Sequence, residues 1–255
     1  MTAPIFTGVG VALVTIFDAS GAVDARATAE LASRLIESGL QSVVVAGSNG
    51  EAASLEPAER ASLVAAVRSA LPKDVAVLAG SGAPSARQAV HLTQVVLDAG
   101  ADAVLVLSPP QSFDPRPYYE AVAEAAKGAS VLAYHFPNVS APGIAVGVLE
   151  ELAVAGVKDS SGDASRLYET IAAFSGWVYT GSAHLVLLAG ALGCAGAILG
   201  IANLEPELCA RAFAGDATAQ RQLVSAAAPL SRRWPHELKQ AVSARYGTSP
   251  TTRMG

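Results

Sequence analysis

Eight short runs of Val, Ile, Leu and Ala recur along the chain, at Val9–Thr15, Ser42–Ala46, Val75–Ala79, Ala103–Leu107, Val131–Tyr134, Gly156–Lys158, Val178–Thr180 and Gly196–Leu199. They are apolar at odd and even positions alike, the pattern of a strand covered on both faces of a parallel sheet. Segments of helical spacing separate them. Pro57 stands in a first-turn position of one, in which Val64, Val67 and Leu71 share a face, and Ala86, Val90, Thr93 and Leu97 share a face in the next. Ser38-Gly39-Leu40, Ala99-Gly100-Ala101 and Leu192-Gly193-Cys194 each end a helix before a strand, glycine supplying the left-handed turn. Strand and helix alternate over about the first 215 positions, and right-handed crossovers leave two architectures, a closed eight-stranded barrel or an open doubly wound sheet. A closed barrel takes ~250 residues, and this chain has 255. The expected fold is therefore α/β, a (β/α)8 TIM barrel over residues 1–215. A short C-terminal helical extension of the same domain follows over residues 216–255, helical from Ala217 to Tyr246. In either architecture ligands sit at the carboxyl ends of the strands.

Composition narrows the function classes. A formal charge of −5, from 22 acidic and 17 basic residues, argues against a nucleic-acid partner or an anionic membrane surface. Two cysteines, Cys194 and Cys209, make neither a disulfide framework nor a multi-thiolate metal site. His91, His135, His184 and His236 lack metal-ligand spacing, so no metal is expected. No run approaches the ~20 apolar residues of a membrane span, and the N-terminus lacks a secretory pattern. A cytoplasmic protein without a membrane partner is expected.

Among four lysines, three have surface readings: Lys73 in a Pro-Lys-Asp turn, Lys127 at a helix end and Lys239 in the terminal helix. Lys158 closes the apolar run Val154-Ala155-Gly156-Val157-Lys158. A lysine at a strand end that points into a barrel is partly desolvated, which disfavours the ammonium and frees the amine to attack a carbonyl. The alternative is a lysine turned outward or paired with Asp159. Other strand ends add polar groups. Gly47-Ser48-Asn49-Gly50-Glu51 is a tight turn whose amides and side chains suit a carboxylate or a phosphate. Tyr134-His135-Phe136-Pro137 offers a phenol for proton transfer. Thr180-Gly181-Ser182-Ala183-His184 is a small-residue turn with a polar tip.

Three of these segments, Gly47-Ser48-Asn49-Gly50-Glu51, Tyr134-x-x-Pro137 and Gly156-Val157-Lys158-Asp159-Ser160-Ser161-Gly162-Asp163, resemble the signatures of the dihydrodipicolinate synthase/N-acetylneuraminate lyase superfamily. Gly193-Cys194-Ala195-Gly196-Ala197-Ile198, with Asn203 and Pro206, resembles the segment around its eighth strand. The matches run in order over nearly the whole chain. The resemblance implies a (β/α)8 barrel in which Lys158 forms a covalent imine with pyruvate or another 2-oxo acid, without a further cofactor. It implies that Ser48 and Asn49 bind the carboxylate, that Tyr134 shuttles the proton, and that Ser160, Gly181 and Ile198 line the pocket. A homo-oligomer, dimer or tetramer, is also implied, with a shortened helical tail ending at Gly255.

The motifs are closest to 4-hydroxy-2-oxoglutarate aldolase and the 2-keto-3-deoxy sugar-acid aldolases. The expected activity is thus a class I, Schiff-base lyase that cleaves or forms a C–C bond beside pyruvate. Dihydrodipicolinate synthase (4-hydroxy-tetrahydrodipicolinate synthase) is an alternative, and two departures weigh against it. Its paired tyrosines are replaced by Ser108-Pro109-Pro110-Gln111-Ser112-Phe113, and its substrate-binding arginine by Val139. A second alternative is a non-catalytic 2-oxo-acid-binding barrel. A phosphate-handling isomerase lacks the glycine-rich grip expected after the last strands. His135 and His184, just past strand ends, are the candidates for contact with the distal part of the substrate.

Overall fold

The computed structural model describes residues 3–231 and 233–254. Eight parallel strands close into a barrel in chain order: β1 (Gly8–Ala12), β2 (Ser42–Val45), β3 (Ala76–Gly80), β4 (Ala103–Leu107), β5 (Ser130–His135), β6 (Gly156–Asp159), β7 (Trp177–Thr180) and β8 (Gly196–Leu199). β8 closes the ring on β1 through Gly8↔Gly196 to Val11↔Leu199. Helices α1 (Ala25–Glu37), α2 (Pro57–Ala70), α3 (Ala86–Asp98), α4 (Arg116–Ala125), α5 (Ala164–Ala173), α6 (Val186–Ala191) and α7 (Pro206–Phe213) surround it. Asp24, Ser85, Asp163 and Asp216 cap helices by accepting from first-turn N–H groups. Gly39, Gly100 and Gly193 take positive φ, as the helix-stop reading requires.

Strand alternation sorts the apolar residues into two layers. Ala12, Val44, Leu78, Leu105, Leu132 and Ile198 fill the barrel interior with Phe6, Tyr134 and Tyr179. Val11, Val43, Val77, Val104, Val157 and Leu199 face the helices. Two-sided coverage explains why the strand runs read as continuously apolar. The Tyr179 hydroxyl donates to Phe6 O at 2.8 Å, tying the segment before β1 to β7.

Four expectations are corrected. The first apolar run leaves the sheet after Ala12, and Val14 N–H donates instead to Asn203 Oδ1 at 3.1 Å. In α3 the buried face is Ala89, Leu92, Thr93 and Val96, so only Thr93 of the expected stripe is buried. The β5–β6 connection holds a single 3₁₀ segment, Val146–Glu151, in place of an α-helix. Its first half is an irregular loop containing Pro142 and a positive-φ Gly143, residues that do not sustain a helix. Lys239, read as a surface residue, is 2% exposed. After the barrel come α8 (Ala217–Ala227), a 3₁₀ turn at Ala228–Ser231 and α9 (His236–Tyr246). Leu238, Lys239 and Val242 of α9 are buried.

Candidate active site

Lys158 lies in register with Tyr134 of β5 and Tyr179 of β7, both inside the barrel, and so points inward with them. It is 3% exposed, and its Nζ stands 4.2 Å from the centre of the Tyr134 ring. The outward-turned alternative is excluded, and so is the pairing with Asp159. That carboxylate faces the other side of β6, where it accepts from Arg166 Nε at 2.6 Å and from Ser161 N–H at 2.7 Å. No ion pair to Lys158 occurs among the described residues. The Lys158 and Ser160 side chains both crowd Gly181. A Cβ on Gly181 would lie 1.9 Å from Ser160 Oγ and 2.9 Å from Lys158 Cε, so only glycine leaves the lysine its room. Ile198 belongs to the same interior cluster as Tyr134 and is fully buried.

Ser48 and Asn49 come to this end of the barrel on a 3₁₀ turn, Ser48–Gly50, directly after β2. The turn engages the N–H groups of Gly50, Glu51 and Ala52 with Gly47 O and Ser48 O. Those of Ser48 and Asn49, at its start, have no acceptor among the described residues, as the first N–H groups of a helical turn do not. Asn49 Oδ1 accepts from Trp234 Nε1 at 2.6 Å, which leaves its amide nitrogen for other partners. A cavity of about 660 Å³ opens from this turn; Ser48 and Tyr134 both line it. Lys158 is not part of the lining; its amine lies against the ring of Tyr134, which is.

The two histidines are placed elsewhere. His135, next to Tyr134, points to the outer layer, and its Nδ1 accepts from Ile144 N–H at 2.9 Å. Burial and the Arg166 guanidinium pull its pKa down to about 4, with Asp159 acting in the opposite sense. Its ring thus supports the loop at Ile144 and is not part of the cavity lining. His184 is exposed in the turn before α6 and is not part of the cavity lining. The sign of the His135 shift sets a pH dependence. As pH falls from the ordinary value of 6.5 towards about 4, the unfolded chain takes up a proton that the native state refuses, and stability declines. Urea unfolding of His135→Gln should show this part of the acid decline flattened, with pyruvate binding retained. An undiminished slope between those pH values would assign the decline to other groups.

Several functional neighbours have no signal in the local motifs. Glu51, the last residue of the turn, is fully buried with φ 56°, and it pairs with the Lys239 ammonium. Its Oε2 accepts from Arg253 N–H at 2.7 Å and Met254 N–H at 2.8 Å. Lys239 Nζ also lies 3.9 Å above the Phe17 ring. Burial holds the Lys239 pKa below its ordinary value, and Glu51 opposes that shift. The terminal segment is thereby anchored to the Gly47–Glu51 turn, and Trp234 and Met254 enter the cavity wall. A lysine among only four in the chain was the sole sequence hint. No group of three or more His, Cys, Asp or Glu side chains among the described residues is placed to hold a metal ion. No helix among them is long and apolar enough to cross a membrane.

Comparison with known proteins agrees with this geometry. The profile of the dihydrodipicolinate synthetase family matches residues 5–236. An uncharacterized DapA-like lyase of Halobacterium salinarum is 36% identical over 212 residues, covering 79% of this chain and 69% of that protein. A 4-hydroxy-tetrahydrodipicolinate synthase of Acidithiobacillus ferrooxidans is 35% identical over 225 residues, covering 83% of this chain and 77% of the relative. The crystal structure of YagE from E. coli K12, a member of the dihydrodipicolinic acid synthase family in complex with pyruvate, superposes with a TM-score of 0.91. It shares 25% identity, with 98% of this chain and 92% of that one covered. A buried strand-end lysine inside a closed (β/α)8 barrel, together with these matches, establishes that the chain belongs to the dihydrodipicolinate synthetase family, whose pyruvate-dependent lyases work through a lysine Schiff base without a cofactor.

Proposed function

We propose that the protein makes or breaks the C–C bond beside a pyruvate unit in a 4-hydroxy-2-oxo acid, with Lys158 as the imine-forming residue. 4-Hydroxy-2-oxoglutarate and the 2-keto-3-deoxy sugar acids are the members of that class raised by the motifs. The observation that carries the reading is the Lys158 amine, buried without a carboxylate partner among the described residues and set against Tyr134, whose side chain lines the cavity. In the cleavage direction the amine displaces water from the 2-oxo carbon to give a protonated imine. The substrate hydroxyl loses its proton, the C–C bond breaks to release an aldehyde, and its electron pair enters the imine as an enamine. Protonation of the enamine carbon and hydrolysis then release pyruvate and the free lysine. The Ser48 and Asn49 N–H groups hold the carboxylate, Tyr134 carries the proton, and Ser160, Gly181 and Ile198 shape the space around the imine.

Incubation with pyruvate and borohydride tests this directly. The intact mass should rise by one reduced pyruvate unit, and peptide mapping should place it on Lys158. Reversible binding without an adduct would instead support a non-catalytic 2-oxo-acid-binding barrel. The synthase reading draws on the name of the Acidithiobacillus ferrooxidans relative. Against it stand Val139 in the cavity wall and the tyrosine-free stretch 108–113. Cytoplasmic action as a homo-oligomer completes the proposal, supported by the two free buried cysteines and by Phe113, 97% exposed in the loop between β4 and α4.

A further inference from the structure

Beyond Tyr134 the cavity is far larger than a three-carbon acid fills, and its chemistry is specific. Leu55, Pro84, Leu92, Leu105, Leu107 and Pro110 supply much of the wall. Among the described residues, three lining side chains carry a charge or an imidazole: Glu56, Arg60 and His91. Glu56 is an exposed helix cap whose carboxylate accepts a first-turn N–H. His91 is exposed on α3. Arg60 is 5% exposed, and its guanidinium is committed to the wall. Nη1 donates to Gly80 O at 2.7 Å, Nη2 donates to Ala52 O at 2.5 Å, and Nε is shut away without a partner among the described residues. That arrangement presents no parallel pair of N–H groups to grip a second carboxylate. Of the lining hydroxyls, that of Ser140 already donates to Ser108 O at 2.6 Å, and those of Ser48 and Tyr134 belong to the proposed pyruvate site.

Besides Arg60 Nε, one buried polar atom of the cavity wall has no partner among the described residues. Ser108, the first residue after β4, is 1% exposed and lines the cavity, and its Oγ makes no hydrogen bond among the described residues. Its N–H donates to Tyr134 O at 3.0 Å, which fixes it beside the proposed proton carrier. A buried hydroxyl left unpaired in a native fold calls for a role, and a ligand oxygen supplies one. We propose that the cavity is the acceptor subsite, that it takes an aldehyde with an apolar aromatic or branched aliphatic body, and that Ser108 Oγ receives the aldehyde oxygen. This rests on the reading of Lys158 as the imine-forming residue. In condensation the enamine carbon bonds to the aldehyde carbon, and the C=O electron pair moves to the oxygen, which takes a proton and becomes the product hydroxyl. Water then hydrolyses the imine and frees the lysine.

The test presents the full chain and pyruvate with benzaldehyde, isobutyraldehyde, glyoxylate and glyceraldehyde, borohydride trapping being run in parallel. The expected result is a kcat/KM for benzaldehyde about tenfold or more above those for glyoxylate and glyceraldehyde, the size of effect an apolar pocket gives. If the pyruvate adduct forms but glyoxylate or glyceraldehyde is used equally well or better, or no aldehyde is used, the acceptor assignment is overturned while the lysine reading stands. Absence of the adduct removes both. In Ser108→Ala the benzaldehyde kcat/KM should fall about tenfold, in the range of one lost hydrogen bond. The adduct yield should be unchanged and the melting temperature not lowered, because no protein hydrogen bond is lost. A lowered melting temperature with unaltered kcat/KM would make the hydroxyl structural and overturn its role.

Discussion

Lys158→Met should retain the fold and lose the chemistry. Methionine has the unbranched shape of the lysine stem and leaves no buried charge, so thermal unfolding should be at least as high as in the native chain. Without an amine no imine forms, and borohydride trapping with pyruvate should give no mass gain. Lyase activity should fall by about 10⁴-fold or more, the scale on which removal of a covalent nucleophile acts. Pyruvate should still bind reversibly through the Ser48 and Asn49 turn, measurable by calorimetry. A surviving adduct would mean that another amine reacts. Lys239, the other buried lysine, is tied to Glu51 and lies beneath the turn, so the geometry makes it a poor substitute.

Neutralising Glu51 should be among the most destabilising single changes outside the apolar core. Glu51→Gln removes the counter-charge of Lys239, whose side chain is 1% exposed, and weakens the acceptor of two terminal N–H groups. Breaking a buried ion pair from one side costs about 3–5 kcal/mol, since the remaining charge is left uncompensated. Urea unfolding measures the loss. The double change Glu51→Gln with Lys239→Met should recover much of it, because no lone charge then remains inside. The functional consequence is local as well. Trp234 and Asn49 are joined by a hydrogen bond, so loosening the terminal segment should weaken pyruvate binding and shift the fluorescence of Trp234. A single variant as stable as the native chain would show that the pair is not an anchor.

The barrel was legible because it depends on local, periodic information. Each strand run reports burial on two faces, and Gly39, Gly100 and Gly193 report turns whose geometry other residues rarely adopt. The break in periodicity at Lys158 was legible for the same reason: a charge at the end of an apolar run needs an explanation. The α3 face was misread because two adjacent stripes of an alanine- and valine-rich helix have nearly equal apolarity. Its packing against the barrel and its neighbours chose between them.

The histidines mark the boundary more sharply. Tyr134 and His135 are adjacent in the chain, yet one faces the barrel interior and the other the helical layer, since successive strand residues point to opposite sides. Proximity to a strand end therefore could not separate ligand contact from structural support, whereas register could. Lys239 shows the same limit at longer range. Nothing near residue 239 refers to residue 51, and their pairing exists only because α9 packs its buried face where the second strand's turn ends. Chain order and side-chain period carry the architecture and the reactive amine. The partner of each buried charge, the direction of each polar side chain and the apolar character of the cavity depend on contacts between distant segments, which only closure of the barrel brings within bonding distance.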